Sequence, residues 1–185
     1  MISRGLYVGR FQPPHLGHLE VIKDILTKHD EILIVVAAAQ ISHTVKNPLS
    51  AGERLLLLKT MLDNTKIDPK TYWLIPAADI FDNLLWVHHI SRLVPPFEVF
   101  YTNNPFTKLL FEDAGHKTAN TSIFDREELE GSKIRGAIMN GKEINGVLDE
   151  DVKKMLTTWN IEKRLLATVD STKREQRGTE LVKDT

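Results

Sequence analysis

Residues 32–39 read ILIVVAAA, an almost wholly apolar run between two polar stretches. A strand in the buried middle of a parallel sheet is covered on both faces, so its sequence is apolar throughout and does not alternate. The run therefore predicts a central strand of a parallel sheet with helices on both of its faces.

Outward from this run, short β-rich stretches alternate with stretches of helical period. Strands are predicted at LYVGRF (6–11), TYWLIP (71–76) and FEVFY (97–101), with KTAN (117–120) as a weaker candidate. The repeated β-α order predicts an α/β fold, a doubly wound parallel sheet with right-handed crossovers. A ligand is expected in the crevice at the carboxyl ends of the strands.

The predicted helices carry recognisable starts and stops. Pro13-Pro14 precede the first helix, Ser50 and Glu53 form a capping box for the second, and Gly115 follows the fourth. NLLWVHHISRL (83–93) is the third.

Further helices are predicted near the C-terminus, at GSKIRGAIMNG and DEDVKKMLTTW, covering one end of the sheet. Together they complete one domain over residues 1–167. Residues 168–185 are polar and charged, so they are predicted to be a disordered tail.

The composition excludes several classes of protein. The 185 residues are 42% hydrophobic and 26% charged and contain no cysteine, which excludes disulfides and thiolate metal sites. No apolar stretch is long enough for a membrane span, and no signal peptide is recognised, so a soluble, cytoplasmic protein is expected. A net charge of −1 argues against broad nucleic-acid binding but permits a basic pocket for a small phosphorylated ligand.

The segment GRFQPPHLGH (9–18) stands where the first strand meets the first helix, a common phosphate site in α/β proteins. It lacks both the G-x-G-x-x-G pattern and the P-loop pattern. His15 and His18 are three residues apart, on one face of a first helical turn, where imidazole and backbone N–H groups could reach phosphoryl oxygens. Spacing alone leaves a structural role for both histidines equally open. A zinc site would need a third ligand, which nothing nearby supplies.

GRFQPPHLGH resembles the H-x-G-H signature of the nucleotidyltransferase superfamily, and GSKIRGAIM resembles its second signature. Five ordered blocks within residues 4–165 resemble the archaeal nicotinamide-nucleotide adenylyltransferases. The blocks are VGRFQPPHLGHLEVIK, AAAQISHTVKNPLSAGERLLLL, IPAADIFDNLLWVHHI, LVPPFEVFYTNNP and GSKIRGAIMNGK.

This resemblance implies a Rossmann-like nucleotidyltransferase fold and transfer of adenylyl from ATP to nicotinamide mononucleotide (NMN), which yields NAD and pyrophosphate. Attack would be in line, with no covalent intermediate. It also implies a homo-oligomer and Mg²⁺ that enters with ATP, held by phosphate oxygens and water and not by protein ligands.

The resemblance further implies a role for particular residues in the site. Those expected to act on the phosphates in catalysis are Arg10, His15, His18 and Arg135. Those expected to bind ATP are Gly9, Phe11, Gln12, Asn104, Ser132 and Lys133. Those expected to bind the nicotinamide nucleotide are Gln40, Arg54, Asp79, Asn83 and Trp86.

Some of these residues have plainer interpretations. Trp86 could fill the core, Arg54 could form an ion pair on a helix surface, and Arg135 and Lys133 could be solvated. The sequence also departs from the family pattern. Glu130 stands where serine is usual, and Gly136 and Ala137 stand where arginines are common, which leaves less positive charge beside the triphosphate. Asn103 replaces a common glycine, so its backbone could require positive φ.

Two other functions remain compatible with the sequence. One is a different nucleotidyltransferase of the superfamily, with flavin mononucleotide, phosphopantetheine or a polyol phosphate as acceptor. The other is a non-catalytic sensor of NAD or ATP, for which donors along the whole triphosphate would not be needed.

Overall fold

The computed structural model describes residues 2–122 and 130–171. Within them the chain forms a sheet of five parallel strands in the order β3-β2-β1-β4-β5. The strands are β1 (Arg4–Gly9), β2 (Glu31–Val36), β3 (Tyr72–Pro76), β4 (Val99–Tyr101) and β5 (Lys117–Ala119). The predicted parallel sheet is confirmed, and the weak candidate KTAN is its edge strand.

Helices follow the strands as the alternation predicts. The helices are α1 (Leu16–Leu26), α2 (Ala51–Asn64), α3 (Asn83–Leu93), α4 (Pro105–Asp113), α5 (Gly131–Met139), α6 (Glu150–Thr158) and α7 (residues 161–171). The predicted capping box starts α2: the backbone N–H of Glu53 donates to Ser50 Oγ at 3.3 Å, and the N–H of Ser50 donates to Glu53 Oε2 at 2.8 Å. Gly115, after α4, has the positive φ of +83° that such a helix end favours.

In the part of the chain that the structure describes, two hydrophobic cores lie on opposite faces of the sheet. Alternate side chains of β2 enter different cores, with Ile32, Ile34 and Val36 on one side and Leu33 and Val35 on the other. The first core is closed by α1, α2 and α6, and the second by α3 and α4. This is the doubly wound arrangement that the apolar run predicts.

The C-terminal region differs from the prediction in two respects. Helix α6 packs against α2 in the layer on one face of the sheet, where Val152 is fully buried, and so does more than cover one end. Helix α7 is an element that the sequence analysis missed, although Ile161 and Leu165 are spaced one turn apart and buried. Residues 168–171 of the predicted tail continue α7, and 172–185 lie outside the described residues.

The carboxyl ends of the central strands lie level with one another. Gly9 pairs with Val36, and Val36 pairs with Pro76, so the loops after β1, β2 and β3 leave the sheet side by side. Strand β1 has β2 on one side and β4 on the other, and the direction of strand order reverses there. Open α/β sheets bind ligands at such a switch point.

Candidate active site at the carboxyl edge of the sheet

Three adjoining cavities open along this edge. The central pocket, about 220 Å³, is lined by the loop after β1 together with His15, His18, Lys46, Ser132 and Arg135. The β4 pocket, about 380 Å³, is lined by both histidines and by Gly9, Thr102, Asn103 and Asn104. The Trp86 pocket, about 750 Å³, is lined by Gly9, Arg10, Asp79, Asn83, Trp86 and Asn104. Because neighbouring pockets share lining residues, they form one cleft.

His15 and His18 begin α1. His15 is the N-cap residue, only 7% exposed, and His18 is half-buried three positions later. The backbone N–H of His15 donates to Nδ1 of His18 at 3.2 Å, and the two ring centroids are 3.6 Å apart. Both imidazoles therefore stand together on the wall of the central pocket.

Neither imidazole is charged near neutral pH. Burial lowers the pKa of His15 from 6.5 to about 4, and burial together with the adjacent His15 lowers the pKa of His18 well below 6.5. Since Nδ1 of His18 accepts a hydrogen bond, its proton resides on Nε2, which is then a neutral donor. Nδ1 of His15 is buried and has no hydrogen-bond partner among residues 2–122 and 130–171. A polar atom left in this way near a cavity is a feature of sites that complete their hydrogen bonds with a ligand.

Two guanidinium groups hold the loop that leads to the histidines. Arg54 of α2 donates through Nη1 to the carbonyl of Arg10 at 2.9 Å, and Arg135 of α5 donates through Nη1 to the carbonyl of Gln12 at 2.8 Å. The Gln12 side chain pairs with the backbone of Leu49 in both directions, at 2.9 and 3.0 Å. Elements far apart in sequence thus fix this loop.

Arg54 does not form the ion pair on a helix surface that its plainer interpretation predicts. It is fully buried and also donates to the carbonyls of Ala37 and Ala38, at 2.7 and 3.0 Å. It is absent from the linings of the three pockets, and its donors hold the loops after β1 and β2. Burial lowers its pKa to about 10, which still leaves it charged near neutral pH.

Other predicted ligands also support the loops. Gln12 is 4% exposed, and its side-chain amide forms two hydrogen bonds with the backbone of Leu49, so the side chain joins the two loops. Gln40 binds the backbone of Asp79 through both ends of its amide, at 2.7 and 2.9 Å. Phe11, with a φ of +52°, is buried, with its ring 4.7 Å from that of His18. A Cβ at Gly9 would lie 2.9 Å from the Phe11 ring, so a larger residue there would require this buried ring to shift.

The second signature places its residues against the central pocket. Ser132, Gly131 and Arg135 line it, as do Arg10 and Lys46. Burial and the nearby Arg10 lower the pKa of Arg135.

Glu130, just before α5, lies on the wall of the β4 pocket and accepts a hydrogen bond from Ser132 Oγ at 3.1 Å. Lys133 is not on the wall of the central pocket, where a phosphate contact was expected. Gly136 and Ala137 likewise add no charge to that wall.

The Trp86 pocket brings together three predicted ligands from one loop and the start of α3. Asp79, Asn83 and Trp86 all line it. Trp86 is half-buried and packs edge-on against Phe111 at 5.7 Å, so it belongs partly to the core and partly to the cavity. Oδ1 of Asp79 accepts a hydrogen bond from the backbone N–H of Ala38 at 3.3 Å.

The predicted Asn104 lines the β4 pocket and is also the N-cap residue of α4. Its side-chain oxygen caps α4 by accepting from the N–H groups of Phe106 and Thr107, at 2.9 and 3.3 Å. Asn103 donates to Thr121, and its φ is not positive, so no strain arises where glycine is common.

Sequence reasoning missed several residues on the walls of this cleft, and Lys46 and Phe81 are two of them. Lys46 lies in the polar loop after β2 and lines the central pocket. Phe81 lies between β3 and α3 and lines the Trp86 pocket. An exposed lysine has no sequence pattern that marks it, whereas an aromatic residue in a short loop next to Trp86 was a usable signal.

Residues 2–122 and 130–171 contain no group of three His, Asp or Glu side chains arranged to hold a metal ion. None of the helices in these ranges has the length and apolar character needed to cross a bilayer.

Comparison with known proteins identifies relatives over most of the chain. Residues 6–137 match the family model described as cytidylyltransferase-like. The chain is 43% identical over 166 residues to the nicotinamide-nucleotide adenylyltransferase of Archaeoglobus fulgidus, covering 88% of this chain and 95% of the relative. It is 38% identical over 172 residues to the protein of the same name from Saccharolobus solfataricus, covering 93% and 100%.

Solved structures share the fold at low identity. A bifunctional NMN adenylyltransferase/ADP ribose pyrophosphatase from Francisella tularensis gives a TM-score of 0.80 at 18% identity over 96% of this chain, which spans 56% of that structure's length. A nicotinic acid mononucleotide adenylyltransferase from Plasmodium falciparum gives 0.64 at 14% identity, covering 90% of this chain and all of the other. The match over residues 6–137 and the extended identity to the curated relatives place this chain in the cytidylyltransferase-like family, among the nicotinamide-nucleotide adenylyltransferases.

Proposed function

We propose that this chain transfers the adenylyl group of ATP to NMN, forming NAD and pyrophosphate. The observation that carries the proposal is the order of the pockets. Hydrogen-bond donors and cationic side chains line the central pocket, an aromatic ring with amide and carboxylate partners lines one neighbour, and a polar strand end lines the other. A dinucleotide has the same order, with a phosphate bridge between two bases.

The nicotinamide ring of NMN would lie in the Trp86 pocket. The ring is cationic, so the face of an indole adds a cation–π contribution of roughly 0.5–2 kcal/mol. Asn83 offers both a donor and an acceptor to the carboxamide. Adenosine would lie in the β4 pocket, near Gly9 and the end of β4, where Asn104 offers its amide nitrogen.

The reaction needs no nucleophile from the protein. An oxygen of the NMN phosphate attacks the α-phosphorus of ATP, the new P–O bond forms, and the bond to the bridging oxygen breaks to release pyrophosphate. The attacking phosphate has a second pKa of about 6 and is largely ionised near neutral pH, so no strong base is required. The protein's part is alignment and stabilisation of charge on the phosphoryl oxygens.

His18 would donate from Nε2 to the α-phosphate, with His15 beside it. Arg10, Lys46 and Ser132 would bind the remaining phosphates, because they line the same pocket. Arg135 would act more through the loop than through the substrate, since two of its donors are held by the carbonyls of Val45 and Gln12.

Mg²⁺ would enter with ATP. The described ranges hold no cluster of three protein ligands, so triphosphate oxygens and water would supply most of its coordination, as is usual for nucleotide-bound Mg²⁺. The ion would neutralise charge on the triphosphate and its leaving group.

We also propose a homo-oligomer acting in the cytoplasm. Leu85 and Leu109, on the adjoining helices α3 and α4, are 57% and 52% exposed, and such apolar surface favours association. Light scattering of the purified chain measures its mass in solution, and a monomeric mass would contradict the assembly.

The substrate assignment is tested by mass spectrometry of the products. The protein is incubated with Mg²⁺, ATP or CTP, and one acceptor at a time: NMN, its nicotinic-acid analogue, flavin mononucleotide, phosphopantetheine or a polyol phosphate. NAD is expected from ATP and NMN, with little turnover of CTP. A product formed only with flavin mononucleotide, phosphopantetheine or a polyol phosphate would contradict the acceptor. ATP binding without any product would identify a sensor.

A further inference from the structure

Phe81 is a large apolar side chain held entirely in solvent. It is 100% exposed, and it forms no ring contact within residues 2–122 and 130–171. An aromatic side chain gains its stabilisation from burial, so a fully exposed one adds nothing to folding. Exposed aromatic groups at the rim of a cavity are instead common where a ligand binds.

The loop that carries Phe81 is anchored on both sides. The backbone of Asp79 is paired with the amide of Gln40, and Nε2–H of His89 donates to the carbonyl of Ala78 at 2.9 Å. After Phe81, the carboxylate of Asp82 caps α3 by accepting from the N–H of Leu84 at 2.9 Å. These contacts limit the backbone at its flanks, so the exposed ring can be redirected mainly by rotation about its own side-chain torsions.

Phe81 lines the Trp86 pocket together with Asn83 and Trp86. In the proposed function, one face of the cationic nicotinamide ring lies against Trp86. The opposite face would then need cover from another side chain of the pocket wall. Phe81 is the aromatic side chain of this loop available to cover it.

We propose that Phe81 closes on the second face of the nicotinamide ring, so that the pyridinium is held between two aromatic side chains and Phe81 sets the preference for the cationic ring. This inference rests on the proposed function and goes beyond it, because it assigns a specificity-determining role to a residue outside the recognised motifs.

The experiment compares Phe81→Leu, Phe81→Ala and Phe81→Tyr with the wild-type chain. KM for NMN is expected to rise about 2- to 30-fold in the first two variants, the range that corresponds to one cation–π contact. KM for ATP and kcat should stay within about twofold, because the ring acts on binding of one substrate. Phe81→Tyr keeps the aromatic face and should stay near wild type.

A second measurement separates stacking from general contact. Reduced NMN has a neutral ring, so the ratio of its Kd to that of NMN reports the cation–π contribution. The ratio should fall in Phe81→Leu, which keeps apolar area but loses the aromatic face. Leu84→Ala is the matched control, because Leu84 is 83% exposed next to the same loop but does not line the pocket.

Three outcomes would overturn the inference. They are an unchanged KM for NMN in Phe81→Ala, an equal rise in Leu84→Ala, and an altered oligomeric mass in Phe81→Ala with unchanged NMN binding, which would make Phe81 a subunit contact. Failure of the proposed function is recognised separately, because the wild-type chain would then make no NAD from ATP and NMN.

Discussion

At the scale of single residues, the tautomer of His18 governs the proposed reaction. Its Nδ1 is engaged by the backbone N–H of His15, which leaves Nε2–H as the donor. A neutral, preorganised N–H can stabilise developing charge on a phosphoryl oxygen without the strong ground-state attraction of a cation.

His18→Ala is therefore expected to lower kcat by about 10²–10³, as removal of a preorganised donor does in other enzymes. ATP affinity and the fold should change much less. Steady-state kinetics with a separate measurement of ATP binding checks this. If ATP binding collapsed while kcat survived, His18 would be a ground-state ligand.

Arg54 and Arg10 make a matched pair of arginines with different expected roles. Arg54→Leu removes buried donors from the carbonyls of Arg10, Ala37 and Ala38, so the free energy of unfolding should fall by about 3–5 kcal/mol. Arg10→Ala removes an exposed side chain that lines two pockets, so stability should change little while activity falls.

Urea denaturation and NAD formation, measured on both variants, test whether Arg54 supports stability and Arg10 supports activity. A stable Arg54→Leu chain with weakened substrate binding would instead support the nucleotide contact implied by the resemblance.

At the scale of elements, the start of α1 combines a helix N-terminus with two buried imidazoles. The pKa of His15 is about 4 in the folded chain, against about 6.5 when unfolded, because burial disfavours its charged form. Between these two values the unfolded chain binds more protons than the folded chain. Stability is therefore full above about pH 6.5 and falls as the pH drops toward 4.

His15→Asn tests this consequence, because asparagine keeps a good helix cap without an ionisable group. The variant should lose part of the acid sensitivity, up to about 3 kcal/mol between pH 6.5 and 4. Urea denaturation of both proteins at several pH values in this window measures the difference. If the free energy of unfolding fell equally with pH in both proteins, His15 would not cause the acid sensitivity.

The elements were largely predictable because their signals are local. The apolar run 32–39 predicted a buried strand, and Ser50 with Glu53 predicted the start of α2. Helix α7 was not predicted, because few apolar residues, Ile161 and Leu165 among them, mark its helical spacing within a charged stretch. Its boundary depends on burial against the first core, which a single local pattern does not reveal.

At the scale of the whole molecule, the order of the three pockets would keep the two proposed substrates apart. The comparisons confirm the resemblance to the nicotinamide-nucleotide adenylyltransferases and the doubly wound fold. Most of the site residues that the motifs identified lie on the walls of the cleft. The motifs could not reveal that Arg54, Gln12 and Gln40 also hold loops in place, because the partners of these side chains are backbone groups distant in sequence.

Trp86→Ala tests the separation of the pockets. NMN affinity should weaken by about the 0.5–2 kcal/mol of a cation–π contact plus the lost apolar area, while ATP affinity stays near normal. Trp86→Phe should recover much of the loss. Because Trp86 also packs against Phe111, some stability should be lost as well, but less than the roughly 3–5 kcal/mol of a fully buried aromatic.

Titration with NMN while tryptophan fluorescence is recorded measures this binding. Quenching is expected in the wild-type chain and should be lost in Trp86→Phe. Quenching that persisted unchanged in this variant would move the signal to Trp73 or Trp159 and contradict the assignment of the pocket.

Because the pKa values of His15 and His18 are low, they decide whether a protein group or a substrate group responds to a change of pH in the cell. Both imidazoles are already uncharged well below neutrality in the free protein. Among the groups at the reaction centre of the proposed reaction, the acceptor phosphate, with its second pKa of about 6, is then the one that changes charge nearest to physiological pH. Under mild acidification the rate of the proposed reaction would follow the ionisation of the acceptor phosphate. The two imidazoles beside it would keep the same charge over this pH range.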